Sequence, residues 1–268
     1  MTRNDKITVA EIRRKKKAGE KIVALTAYDY FTAKLLDRAG IDLVLVGDSL
    51  GMVVLGYETT VPVTMEDMLH HTRAVVRGNN RALVVADMPF LSCRISEEEA
   101  IRNAGRFLQE AGADAVKLEG GEEIAPLVER MTSAGIPVLG HIGLTPQSVL
   151  QLGGYRVKGK QAREATRLKK DAVALEQAGA FALVLEAIPA ELGSDVSMSL
   201  AIPTIGIGAG PGCDGQVLVV HDLLGIGDGR PPKFVKAYAD LAGEMLQAFS
   251  SFRDEVRSGS FPDADHSY

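Results

Sequence analysis

Short apolar runs recur along the chain, separated by segments in which apolar residues return every three or four positions. The runs at 22–27, 42–47, 82–87, 113–119, 137–142, 181–187, 203–207 and 217–220 read as strands. Most are continuously apolar, which marks strands covered on both faces, as in a parallel sheet. The intervening segments at 28–39, 64–78, 96–111, 122–134, 161–178 and 190–200 read as helices, with a last one at 234–252. Helix starts carry capping signals: Thr64 with Asp67 three residues on, and Ser96 ahead of Glu97, Glu98 and Glu99, an acidic first turn that suits the helix dipole. A further helix over roughly the first 20 residues starts at Thr8, with Glu11 at capping-box spacing, and stops near Gly19. Eight strand–helix units in this length predict a single-domain (β/α)8 TIM barrel over 1–268, with an extra N-terminal helix at 1–20 and a frayed polar tail at 253–268.

A doubly wound sheet is the main competitor, and its signature is missing. The stretch GIGAGPGCDG at 206–215 holds one literal match to the dinucleotide pattern. That pattern needs a helix directly after its glycines; here another apolar strand follows. The stretch therefore reads as a loop at the barrel mouth that touches a substrate or turns the chain. Composition narrows the field further. A net charge of −5 argues against nucleic acid or an anionic membrane as partner. The basic run Arg13, Arg14, Lys15, Lys16, Lys17 then reads as a solvated helix face. No apolar run approaches the ~20 residues of a membrane helix. The two distant cysteines, Cys93 and Cys213, form neither a zinc pattern nor a disulfide framework, which fits a reducing, cytoplasmic setting.

The chemistry lies where strands stop. VGDSLG at 46–51 ends an apolar run at Asp48 and Ser49, bracketed by glycines that allow close approach. Asp87, Lys117 with Glu119, His141 and Glu186 end or nearly end other strands. A barrel gathers such residues at its C-terminal face. Clustered carboxylates need a cation or raise each other's pKa. Acids without cysteine and with few histidines suit a hard ion such as magnesium. Lys117 and Glu119 are two apart, so a strand points both to one face. Glu186 leaves a run of Leu183, Val184 and Leu185, an apolar setting suited to a general base. Metal plus base implies an enolate formed next to a carbonyl. Ser49 has no sequence-adjacent His–acid pair to make it a nucleophile.

Several segments together resemble the ketopantoate hydroxymethyltransferases: LTAYDY (25–30), VGDSLGMVVLGYETTVPVT (46–64), ADMPF (86–90), VKLEGG (116–121), GHIGLTPQS (140–148), VLEAIP (184–189), IPTIGIGAGPGCDGQVLVVHDLLG (202–225) and PKFVK (232–236). The resemblance implies a magnesium-dependent barrel that forms a large homo-oligomer, a decamer. It implies hydroxymethyl transfer from 5,10-methylenetetrahydrofolate to 3-methyl-2-oxobutanoate, giving 2-dehydropantoate on the route to pantothenate and coenzyme A. By position, Asp48 and Asp87 would hold the metal, and Glu119 would support it directly or through water. Asp48, Ser49, Asp87 and Lys117 would contact the oxo acid, and Glu186 would be the base. His141 receives no role. Two rivals stand beside this reading: a magnesium-dependent C–C lyase or mutase of the isocitrate-lyase type, and a degenerate barrel that only binds a small acid.

Overall fold

The computed structural model describes residues 6–227, 229 and 231–268. Residues 1–5 of the expected N-terminal segment lie outside the described residues. The chain divides into two compact units with the boundary after Val219.

The first unit is a closed barrel of eight parallel strands in sequential order. They are β1 (Ile22–Thr26), β2 (Leu43–Val46), β3 (Leu83–Asp87), β4 (Ala115–Glu119), β5 (Val138–Gly143), β6 (Ala182–Glu186), β7 (Thr204–Ile207) and β8 (Gly215–Leu218). The expected fold is therefore the observed one, and the strand positions agree to within a few residues. β1 closes the barrel on β8, with Ala24 opposite Val217. The interior is filled by Ala24, Leu43, Leu45, Leu83, Val85, Ala115, Leu139, Val184, Ile205 and Val217. Removing their apolar surface from water at about 25 cal/mol per Å2 is the main force for closure.

The helices of this unit are α1 (Val9–Ala18), α2 (Tyr30–Arg38), α3 (Leu50–Val53), α4 (Met65–Gly78), α5 (Glu97–Gln109), α6 (Ala125–Ser133), α7 (Val149–Leu152), α8 (Ala162–Gln177) and α9 (Ala190–Ser199). α4 starts in a complete capping box: the Thr64 side chain accepts from Asp67 N–H, and the Asp67 side chain accepts from Thr64 N–H. Such a cap contributes about 1 kcal/mol. α3 and α7 are single turns inside stretches that read as loops. Four residues carry too little periodicity to register.

The basic run of α1 departs from the solvated face expected of it. Lys16 Nζ lies 2.9 Å from Asp214 Oδ2 and also donates to the carbonyls of Ser197 and Ile202. Lys15 pairs with Asp42 at 3.0 Å, and Arg13 donates to the carbonyl of Ala180. Asp42, Ala180 and Asp214 each lie one or two residues ahead of a strand, at the N-terminal end of the barrel. Ile12 beneath them is fully buried. The lysine stems lie along apolar surface while their charges reach the strand starts. Arg14, paired with Glu11 and Glu20, and the exposed Arg13 and Lys17 match the sequence reading.

GIGAGPGCDG forms a loop between β7 and β8, as expected. Gly210 (φ +81°) and Gly212 pack against α9, where an added Cβ would lie 2.4 Å from Ala190 Cβ and 2.7 Å from Ser194 Cβ. The glycines admit a helix there rather than a nucleotide.

The second unit holds α10 (Val220–Leu224) and α11 (Leu241–Ser258). α11 begins and ends later than the 234–252 expected. Asp240 caps it by accepting from Gly243 N–H, and the left-handed Gly259 stops it. Residues 253–258 of the expected frayed tail are therefore helical. No helix among the described residues is long and apolar enough to cross a membrane.

Candidate active site

Parallel register brings the charged strand ends together. Asp87 lies beside Lys117, Glu119 beside His141, and Gly143 beside Glu186. Asp48 follows β2 by two residues and leads into α3, which Ser49 precedes. All these positions are at or next to C-terminal strand ends, the end of a parallel barrel where βα loops can surround a ligand.

Asp87 is the hub. Its Oδ1 accepts from Lys117 Nζ at 2.6 Å, and its Oδ2 accepts from the backbone N–H of Asp48 at 3.3 Å. Lys117 Nζ also stands 3.8 Å from Glu119 Oε1, so both residues face one way, as their spacing requires. Asp48, Asp87, Lys117 and Glu119 are each at most 4 % exposed. Such depth makes charge expensive unless it is balanced. Burial, then Asp87 and Glu119, raises the Asp48 carboxyl well above its ordinary value. Burial lifts Asp87 too, against the opposing pull of Lys117. Lys117 loses stability from burial, but Asp87, Glu119 and Asp48 outweigh this and strengthen its hold on the proton.

His141 gains the place that the sequence did not give it. Its Nδ1 is 3.5 Å from Glu119 Oε1, and its Nε2 is 3.2 Å from Glu186 Oε2. Both are charge pairs rather than well-directed hydrogen bonds, because both ring nitrogens and Glu119 Oε1 are buried without a directed partner. Burial and Lys117 push the imidazole toward neutrality, yet Glu119 and Glu186 outweigh them and lift it to about 9. Glu119 is held below its ordinary value: burial opposes its charge, and His141 and Lys117 overcome that. Glu186 thus faces an imidazole 3.2 Å away rather than the apolar surroundings expected from Leu183–Leu185. The residues before it alternate sides of the strand, so their apolar character says nothing about where its own side chain points. Ala187, next in sequence, is a non-glycine residue in the left-handed region (φ 48°), a conformation costing about 1–3 kcal/mol that clusters at functional sites.

Ser49 Oγ is 2.8 Å from Tyr28 Oη, and among the described residues no His–acid pair is hydrogen-bonded to it. Gln147 was missed. Its side-chain amide donates to Asp48 Oδ2 and to the carbonyl of Met88, both at 2.8 Å, and its backbone N–H donates to Glu119 Oε2 at 3.1 Å. One residue of the loop after β5 thus fastens the ends of β2, β3 and β4. The only sequence signal was its place after a strand that ends in the GHIGLTPQ motif. Tyr155 was missed as well. Its hydroxyl lies 3.6 Å from Met52 Sδ, and its phenol is pushed up by burial and then by Asp48, Glu186 and Glu119.

Among the described residues, no three His, Cys, Asp or Glu side chains stand as a ready-made metal site. The donor chemistry nonetheless fits a hard dication. Magnesium typically takes one or two protein carboxylates and completes its shell with water and substrate oxygens. The burial and like charge that raise Asp48 and Asp87 are the penalties that a bound dication removes.

Replacing Gln147 with Ala would leave the Asp48 carboxylate free to turn. The expected result is a ~10–100-fold weaker magnesium affinity, the usual effect of losing a residue that orients a ligand. Isothermal titration with magnesium alone checks this; an unchanged affinity would show that the amide positions nothing.

A closed parallel barrel with buried carboxylates, a lysine and a histidine at its C-terminal strand ends is the framework of a (β/α)8-barrel enzyme. Solved structures with this fold include a phosphonopyruvate hydrolase in complex with oxalate and Mg++ (TM-score 0.63, 14% identity, covering 99% of this chain and 93% of that one). Another is a 2,3-dimethylmalate lyase of the PEP mutase/isocitrate lyase superfamily (TM-score 0.60, 17% identity, covering 97% and 91%). The chain belongs to the ketopantoate hydroxymethyltransferase family, whose sequence model matches residues 6–264. It is 64% identical to the 3-methyl-2-oxobutanoate hydroxymethyltransferase of Syntrophus aciditrophicus over 98% of this chain and 97% of that relative. It is 58% identical to the enzyme of the same name from Moorella thermoacetica over the full length of both.

Proposed function

We propose that the chain transfers a hydroxymethyl group from 5,10-methylenetetrahydrofolate to 3-methyl-2-oxobutanoate, giving 2-dehydropantoate for pantothenate and coenzyme A synthesis. The observation that carries this reading is the split of charge across the barrel mouth. A buried Asp48–Asp87–Lys117 cluster sits on β2–β4, and a Glu186–His141 pair sits on β5 and β6. The first suits a small anion with a metal, the second a proton transfer.

Magnesium held by Asp48 and Asp87, with Glu119 supporting it directly or through water, would supply positive charge beside the keto oxygen. Lys117 fixes Asp87 and adds a buried cation for the substrate carboxylate, and Ser49 offers a hydroxyl or backbone N–H to it. Glu186 takes the C3 proton, and His141, 3.2 Å away, holds the carboxylate in place. The resulting enolate forms a C–C bond from its C3 to the one-carbon unit, whose bonds to the folate nitrogens are broken, and tetrahydrofolate leaves. One water is consumed overall and supplies the new hydroxyl oxygen. In this reading the enzyme works in the cytoplasm as a large homo-oligomer. Exposed Phe31 and Leu35 on α2, and Leu246, Phe249 and Phe252 on α11, offer apolar surface for other copies.

The test is proton exchange at C3 of 3-methyl-2-oxobutanoate in deuterated water with magnesium and no folate, followed by product formation once the donor is added. Absence of both would sink the reading. A C–C lyase of the isocitrate-lyase type remains the rival on the same fold. Burial pushes the thiols of both Cys93 and Cys213 up, which leaves neither as a ready thiolate for that chemistry.

A further inference from the structure

Two adjoining cavities open beside the acid cluster. The inner one, about 690 Å3 including the solvent at its mouth, is walled by Phe90, Leu91 and Ile142 and by Thr145, Gln147 and Glu119. The outer one, about 760 Å3 on the same measure, is walled by Lys158, Gly159, Arg163, Glu164 and Arg167. They share Gly143 and Leu168, so they form one groove. Its length and changing character call for an elongated ligand with unlike ends.

The inner end is apolar on one side and polar on the other. Phe90 and Leu91, adjacent in sequence, remain 37 % and 47 % exposed there and offer apolar surface to a ligand in the cavity. Leu91 is also held at φ 63°, a strained backbone at a cavity wall. Buried Glu119 contributes Oε1, an acceptor with no directed hydrogen bond.

The outer end is basic. Three basic side chains stand against one acid. Arg167 is engaged by Asp171 at 2.8 Å and Glu123 at 3.4 Å, and Glu164 accepts from the backbone N–H of Gly159. Among the described residues, Lys158 and Arg163 are left without an ion-pair partner. They are two cations at the rim available to an anionic group.

The groove also reaches the reacting centre. Gly143 in its floor lies beside Glu186 in register, and an added Cβ there would lie 2.2 Å from the Glu186 carbonyl oxygen. No side chain fits between the groove and the strand that carries the base.

We infer that this groove holds the one-carbon donor, with its flat heteroaromatic head between Phe90, Leu91 and Ile142 and its dicarboxylate tail against Lys158 and Arg163. The assignment rests on the hydroxymethyl transfer proposed above, which requires a tetrahydrofolate donor. It places that donor beside the Asp48–Asp87–Lys117 cluster, with Glu119 and Gln147 between the two. It also makes the tail bases affinity determinants that stand away from the bond-forming step.

The experiment compares two probes by calorimetry, with magnesium and 3-methyl-2-oxobutanoate present. They are 5-formyltetrahydrofolate, which carries one glutamate, and the corresponding pteroate, which carries none. In the Lys158→Ala/Arg163→Ala double variant the glutamate-bearing probe is expected to bind about tenfold or more weakly, about 1.4 kcal/mol. The pteroate is expected to bind as it does to the wild type, which also reports an intact fold. Equal binding of the glutamate-bearing probe to both proteins overturns the groove assignment and leaves the reaction standing. If the wild type binds the oxo acid but neither folate probe, the donor itself is wrong, and both proposals fall.

Discussion

Glu186→Gln is expected to lower hydroxymethyl transfer by about 10^2–10^4-fold, the range that a positioned general base contributes. The C3 proton exchange of 3-methyl-2-oxobutanoate should fall by a similar factor, because both begin with the same proton transfer. The amide keeps the shape of the side chain, so the site keeps its packing and loses the proton acceptor. The substitution also removes the negative partner of His141, 3.2 Å away. His141 should then bind its proton less tightly, since Glu186 is one of the two carboxylates that raise it. Exchange followed by proton NMR, beside a coupled assay of product, checks both. Wild-type exchange in the variant would remove Glu186 from the reaction and leave His141 to be considered in its place.

Lys117→Met is expected to destabilise the fold by about 3–5 kcal/mol, the cost of breaking a buried ion pair and leaving its acids alone. Methionine fills most of the space of the lysine stem, so little of this loss is a cavity. What remains is Asp87, Asp48 and Glu119, all at most 4 % exposed, without the cation that sits 2.6 Å from Asp87 and 3.8 Å from Glu119. Urea unfolding of the metal-free protein measures the effect. Adding Asp87→Asn should recover part of it, because the second change removes one of the stranded charges. A single variant as stable as the wild type would mean that the carboxylates simply take up protons at little cost. The charge balance drawn around Asp87 would then be wrong.

The barrel was legible because its signal is repeated. Eight apolar runs with helices between them leave few other folds, and each strand's position is marked by its own residues. Asp48, Asp87, Lys117, Glu119 and Glu186 could be singled out because each is a charged residue where an apolar run stops. Their partners were harder to see. Gln147 is an uncharged amide in a loop, and its role exists only because that loop folds back over β2–β4. His141 was visible at a strand end, but its role depends on the register that sets it between β4 and β6. Local sequence does not encode that register. The basic run of α1 misled for a related reason. Composition says that the positive charges are solvated, and only the closed barrel reveals the carboxylates and carbonyls waiting at the strand starts. The helix at 234–252 was placed too early because its apolar period is clear while its true starting cap, Asp240, makes an ordinary turn residue.

The lysines of the first helix have a consequence for how the chain is made. Asp42, the partner of Lys15, leaves the ribosome early, whereas Asp214, the partner of Lys16, arrives some 200 residues after the helix itself, and the strand that seals β1 follows directly. The first helix is therefore a clasp whose catch is made last. Until it shuts, β1 offers an open edge and its apolar interior face to the surroundings. Synthesis of this protein thus has a vulnerable interval, which ends when the eighth strand emerges.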